Sequence, residues 1–154
     1  MASHVPMFDL LMLLFGPGLF VTILWSPILL VRRFRALFAR VPPTGSVGLA
    51  YVLVAVGLSV PFVLGTVAVL ATTSVEGATL SNALLNTAFL LTIAYLLAAP
   101  ALAGVGLPRL GVDWDPTGYG LGTWLLLVGA TVWYVAVFVL PLALFALVLA
   151  LPTG

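Results

Sequence analysis

LGTWLLLVGATVWYVAVFVLPLALFALVLAL, residues 121–151, runs for 31 residues without one Asp, Glu, Lys or Arg. About 20 apolar residues suffice for a helix to cross the hydrocarbon of a bilayer. Positions 135–140, VAVFVL, are apolar throughout, so they lack the in-out alternation of a membrane-barrel strand. This stretch therefore predicts a membrane helix. At 1.5 Å per residue it exceeds the roughly 30 Å hydrocarbon core, so the helix tilts, bends at Pro141 or protrudes.

The same absence of charge recurs along the chain. Nine formal charges among 154 residues leave further uncharged runs of 22 residues (10–31), 35 (41–75) and 32 (77–108), and the last run extends over 39 (116–154). Only 6% of residues are charged and 64% are hydrophobic, against about 25% charged in a soluble domain. Four such runs leave too little polar surface to clothe a globular core, and they are too apolar for disorder. The expectation is an all-α membrane protein, a four-transmembrane-helix bundle forming one polytopic domain over residues 1–154. Its spans lie at about 7–31, 47–71, 80–104 and 121–151.

The charges also orient the spans. Arg32, Arg33, Arg35 and Arg40 follow the first span and Arg109 follows the third, whereas the second connection carries Glu76 and neither terminus has Lys or Arg. The positive-inside rule puts the first and third connections in the cytoplasm and both termini outside the cell membrane. No basic residue precedes the first apolar run and no small-x-small cleavage site follows it, so the first span reads as a retained signal-anchor. Asp9 then caps the outer end of that span, where a carboxylate complements the helix dipole. His4, in the terminal tail beside it, forms no catalytic pair.

Residues 32–43 read as a cytoplasmic amphipathic basic segment. Phe34, Leu37 and Phe38 share one helical face, and Arg32, Arg33, Arg35 and Arg40 cover much of the rest, which suits anionic lipid headgroups at about 1 kcal/mol per arginine. Pro42 and Pro43 end the segment, and Thr44 or Ser46 caps the second span.

Within the spans, small residues mark packing faces. Gly57, Pro61 and Gly65 recur every four residues, and Gly122, Gly129, Ala136, Ala143 and Ala150 recur every seven. A seven-residue repeat winds a left-handed seam along which backbones approach closely. Its partner is expected to be another span of the same chain, with a second subunit as the alternative. Phe15-Gly16-Pro17-Gly18 interrupts the first span and predicts a packing kink there. Asn82 and Asn86, one turn apart, are expected to face protein or the outer boundary, because an amide facing lipid is costly.

The cytoplasmic Gly/Asp loop, 105–120, holds the one sequence resembling a metal motif. Asp113, Asp115 and Thr117 followed by Gly118 match the opening of a calcium loop. The match stops there: Pro116 interrupts it and Trp124 stands where a bidentate Glu is required. The three are weak metal candidates, and a turn into the fourth span is the simpler reading, with Trp114 and Tyr119 anchoring at the membrane interface.

Catalytic classes lack their residues. The chain has no Cys, no Lys and a single His, so a thiolate nucleophile, a P-loop lysine and the H-E-x-x-H zinc motif are all absent. With Asp9 at the outer end of the first span, no acid, His or Arg lies in the interior of any span, which argues against intramembrane catalysis and ion coupling. No cofactor and no nucleic-acid partner are expected. Abundant Ala, Val, Leu and Gly without Lys suggests a GC-rich prokaryotic source. The function read from the sequence is a small non-catalytic assembly, accessory or structural subunit working through helix packing, with lipid, a second copy or another membrane subunit as partner. The alternative is a carrier or channel for a neutral or hydrophobic solute, using Ser26, Ser59, Thr66, Asn86, Thr92 and Tyr95 as polar contacts, provided that these converge on one cavity.

Overall fold

Backbone amides in an apolar setting must be satisfied within the chain, and the helix does this locally. The computed structural model describes residues 7–41, 45–74 and 77–151, and among these no strand forms. The elements are α1 (Met7–Trp25), a 3-10 turn (Ser26–Leu30), α2 (Arg32–Arg40), α3 (Val47–Thr72), α4 (Gly77–Ala101), a π segment (Leu102–Gly106), α5 (Leu107–Arg109) and α6 (Leu121–Ala150). Among the described residues three helical stretches are long and apolar enough to cross a membrane: Val47–Thr72, Gly77–Arg109 and Leu121–Ala150. The first helix and α2 make a fourth if the bent pair is one crossing. Glu76, His4, Pro42, Pro43 and Thr44, and the side chain of Asp9, lie outside the described residues. Ser46 caps α3, its hydroxyl accepting from the Leu49 amide at 3.5 Å.

The chain turns by 116° between the first helix and α2. The hinge is Val31, in extended conformation at φ −81° and ψ 119°. The kink expected at Gly16-Pro17-Gly18 does not break the helix there, since α1 continues through Pro17. Gly18 instead serves contact: a Cβ at this position would lie 2.6 Å from Ser59 Oγ and 3.1 Å from the Val56 Cα of α3. Only a residue without a side chain lets α1 and α3 cross so closely.

α1 packs chiefly on α3 and α4 on α6, and α3 against α4 joins the two pairs. Trp25, Tyr51, Phe62, Tyr95 and Tyr134 fill the centre. Their rings touch in sequence, Trp25 meeting Tyr134 edge-on at 4.9 Å and Tyr134 stacking on Tyr95 at 6.2 Å. Each polar tip crosses to a neighbouring helix. Trp25 Nε1 donates to the Ala130 carbonyl at 2.9 Å, Tyr134 Oη to Ala55 at 2.6 Å, Tyr51 Oη to Thr22 and Tyr95 Oη to Leu58. Aromatic residues thus supply both packing area and interhelical hydrogen bonds.

These bonds decide how α6 is rotated. Its buried face is Thr123, Leu127, Ala130, Thr131, Tyr134, Val135 and Ala146, not the seven-residue series. Gly122, Gly129 and Ala150 are exposed, Ala136 and Ala143 half-buried, and no atom lies within 4 Å of a Cβ built on Gly129. The seam expected within the chain is therefore largely outward. A tyrosine or threonine donor must find an acceptor in apolar surroundings, whereas glycine and alanine tolerate either side. In α3 the outcome is mixed: Gly57 faces open space, while Gly65 lies against Thr87 and Leu91 of α4.

Candidate functional site

α2, the 110–120 connection and the first turn of α6 meet at one end of the bundle, bringing together Arg33, Arg40, Asp113 and Asp115. Asp115 is only 3% exposed, and a buried carboxylate is costly unless its oxygens are bonded. Here Oδ1 accepts from the Thr117 amide at 3.0 Å and the Thr117 hydroxyl at 2.8 Å, and Oδ2 accepts from the Thr123 hydroxyl. Thr123 Oγ1 in turn accepts from Arg33 Nη1 at 3.2 Å. Burial raises the Asp115 carboxyl, but the bonds from Thr123 and Thr117 and the charge of Arg33 outweigh it and hold the group below its ordinary value.

The surrounding turn is tied in the same way. Gly118 adopts φ +81°, a left-handed conformation that glycine takes without strain, and its amide donates to the Asp115 carbonyl at 3.2 Å. Tyr119 Oη donates to Asp113 Oδ1 at 2.9 Å and accepts from the Trp114 amide at 3.2 Å. Burial is the main reason that the Tyr119 phenol is pushed above its ordinary value. Arg40 donates to the Asp113 carbonyl. A calcium loop would need alternate oxygens turned toward one cation; in this fold both Asp115 oxygens and the Thr117 hydroxyl are engaged within the turn and with α6.

Trp114 departs from its expected role as an interfacial anchor. It is 2% exposed, and its indole Nε1 donates to the Ala103 carbonyl at 2.7 Å. A π segment shifts the backbone bonding pattern, and the indole supplies a donor to a carbonyl inside it. Sequence reasoning missed this bond, as it missed the 90-residue link from Arg33 to Thr123. The available clue was local: Thr117 and Thr123 follow Asp115 by two and eight residues across a helix start, where an acid finds hydroxyl and amide donors.

The remaining sequence candidates do not converge. Arg32 and Arg35 stay exposed on α2, as does Arg109 beyond the π segment. Asn82 and Asn86 both point outward, 5 and 9 residues from the start of α4, while the adjacent Ser81 is buried. Of the two settings expected for these amides, protein or the outer boundary, the first is not met within this chain, because Ser81, Leu84 and Ala88 form the packed face. The hydroxyls proposed to line a polar path are bonded to their own helices: Ser26 to Ile23, Ser59 to Val56, Thr66 to Phe62 and Thr92 to Ala88.

Two cavities are apolar. One, of about 200 Å³, lies between α2, α3, the α4 end and α6, bounded by Phe34, Leu58, Tyr95, Leu102, Leu127 and others. The second, more open and of about 550 Å³, separates α1 from α6 around Pro17, Thr66 and Pro141.

Over the described residues, fold and site define an all-helical protein with three to four apolar helices of membrane-crossing length, closed at one end by a network of buried Asp115 and Thr123 with Arg33. Residues 5–153 match the domain of unknown function DUF8162, and the chain belongs to that family. No curated protein and no solved structure matches it.

Proposed function

We propose that this protein is a small non-catalytic four-span protein of the cell membrane, an assembly, accessory or structural subunit acting through its helix faces. Both termini lie outside, and Arg32, Arg33, Arg35 and Arg40 lie at the cytoplasmic headgroups. The observation that carries the proposal is the division of labour on α6. Its bulky and hydrogen-bonding residues are used within the chain, while Gly129 is exposed with no atom within 4 Å of its Cβ position and leaves room for another backbone to approach. Supporting it further, the Ser59, Thr66 and Thr92 hydroxyls donate to carbonyls of their own helices and Tyr95 to that of Leu58, so these donors are already committed within the chain.

Mild-detergent copurification, with crosslinking through Gly129→Cys, tests this. A discrete crosslinked species, either a dimer or a complex with one membrane protein, is the expected result, and a strictly monomeric protein would remove it. Orientation is tested separately by an impermeant thiol reagent on intact cells, which should label Glu76→Cys and spare Arg35→Cys. The second reading, a carrier for an apolar solute, is favoured by the two apolar cavities and predicts solute-dependent stabilisation without any partner.

A further inference from the structure

We propose that the outward face of α4 pairs with the same face of a second copy of this chain, Asn86 of one copy hydrogen-bonding Asn86 of the other. The pairing rests on membrane insertion but not on assembly through α6.

α4 buries Ser81, Leu84, Ala88 and Tyr95. At about 3.6 residues per turn these share one side of the helix. Asn82, Asn86, Phe89, Ile93 and Leu97 fall on the opposite side, and all five are exposed. The two asparagines therefore head an otherwise apolar stripe turned away from the bundle. Neither amide has a hydrogen-bond partner among the described residues.

Depth makes that arrangement costly. A Cβ built on Gly77 would meet the Leu149 carbonyl of α6, so the start of α4 is level with Leu149. Around that level the surface is already apolar: Leu147 and Val148 are exposed on α6, and Leu70 is exposed on α3 beside Val69, which packs on Leu80. Asn86 lies nine residues beyond Gly77, about 13 Å further in. Its neighbour Thr87 faces Gly65, in the interior of α3. An amide at this depth faces hydrocarbon, where an unbonded polar group is strongly penalised.

The bilayer also selects the occupant. Lipid tails carry neither donor nor acceptor, so the group that covers Asn86 must be a protein side chain at the same depth. Copies of one chain insert in one orientation, so the two-fold axis of a pair runs along the membrane normal and sets Asn86 opposite Asn86. An asparagine amide has both donors and an acceptor. Each Asn86 thus donates an N–H to the other's carbonyl oxygen and receives one in return, and Phe89, Ile93 and Leu97 continue the contact inward. One polar position within an apolar seam fixes register and copy number.

The chain has no cysteine, so Phe89→Cys places a single thiol on the stripe and keeps Asn86. Oxidation in native membranes should give a disulfide-linked species of twice the chain mass, and Ile93→Cys, one turn further on, should do the same. On dilution into phosphatidylcholine vesicles, Asn86→Leu added to Phe89→Cys should weaken pairing about tenfold, the effect of interhelical hydrogen bonding in a membrane. Asn86→Gln, which keeps the amide, should retain most of the pairing. Monomer Tm should not fall in Asn86→Leu, because the amide bonds nothing within the chain. No dimer from either cysteine variant, a conjugate with a different protein instead, a lowered monomer Tm, or undiminished pairing in Asn86→Leu would overturn the proposal. Crosslinking through Gly129→Cys but not through Phe89→Cys would remove the α4 pair and leave assembly through α6. Extraction of the protein from membranes by alkaline carbonate would refute membrane insertion itself, an outcome distinct from both.

Discussion

Thr123→Val is the sharpest probe of the polar cap. Valine keeps the shape of threonine and removes one hydroxyl, which donates to the Asp115 carboxylate and accepts from Arg33. Residue 123 is 2% exposed, so water does not replace what is lost. A hydrogen bond to a charged group contributes about 1.5–3 kcal/mol, and a buried acceptor left short carries a further desolvation penalty. Because Thr117 still bonds Oδ1, the expected loss is about 2–4 kcal/mol. For a chain of this size that lowers Tm by about 4–16 °C, measured by thermal unfolding in mild detergent. The acid response supplies the sign. The folded carboxyl lies below its ordinary value of 3.8, so Asp115 stabilises the fold above that pH and the contribution is lost as pH falls through the lower folded value. Thr123→Val should flatten that acid-sensitive step, while Thr123→Ser, which retains the hydroxyl, should preserve it. A Tm unchanged within a degree or two, or an equal loss in Thr123→Ser, would refute the hydrogen-bond account in favour of simple packing.

Three further outcomes are expected. Gly18→Ala drives a methyl group into Ser59 and Val56 and should destabilise by about 1–3 kcal/mol through overpacking, with Ser59→Ala restoring part of the loss in thermal unfolding. Tyr134→Phe keeps the ring contacts but removes the bond to the Ala55 carbonyl, so a loss of only about 0.6–1.5 kcal/mol is expected, readable as a small Tm shift. Gly129→Leu together with Ala136→Leu should leave monomer Tm nearly unchanged, because nothing lies near the Gly129 Cβ position, yet abolish association through α6 in size-exclusion chromatography.

The helical class was legible because the apolar runs are long and nearly uncharged. The segment around Arg32 was legible too, since Phe34, Leu37 and Phe38 lie on one side of any helix drawn through them, and all three are buried in α2. Periodicity misled in α6. Gly122, Gly129, Ala136, Ala143 and Ala150 form the more regular series, but regular spacing reveals a face without telling which neighbour it meets. Tyr134 decided that question through one acceptor 79 residues away. Gly18 has a second use that local sequence does not show: beside a proline it suggests a kink, while the close crossing with α3 also requires its missing side chain. Trp114 resembled a membrane anchor because the π segment whose carbonyl it serves has no local sequence pattern.

By itself, then, the sequence determined the all-helical, apolar character of this protein, since this depends on hydrophobicity and local backbone bonding alone. Tertiary structure decided which side of each helix turns inward, the burial of Asp115 between Thr117 and Thr123, and the cavity behind α2. Each depends on a donor and an acceptor far apart in the chain, or on the volume left where α2, α3, α4 and α6 fail to meet, and neither quantity is carried by composition or period.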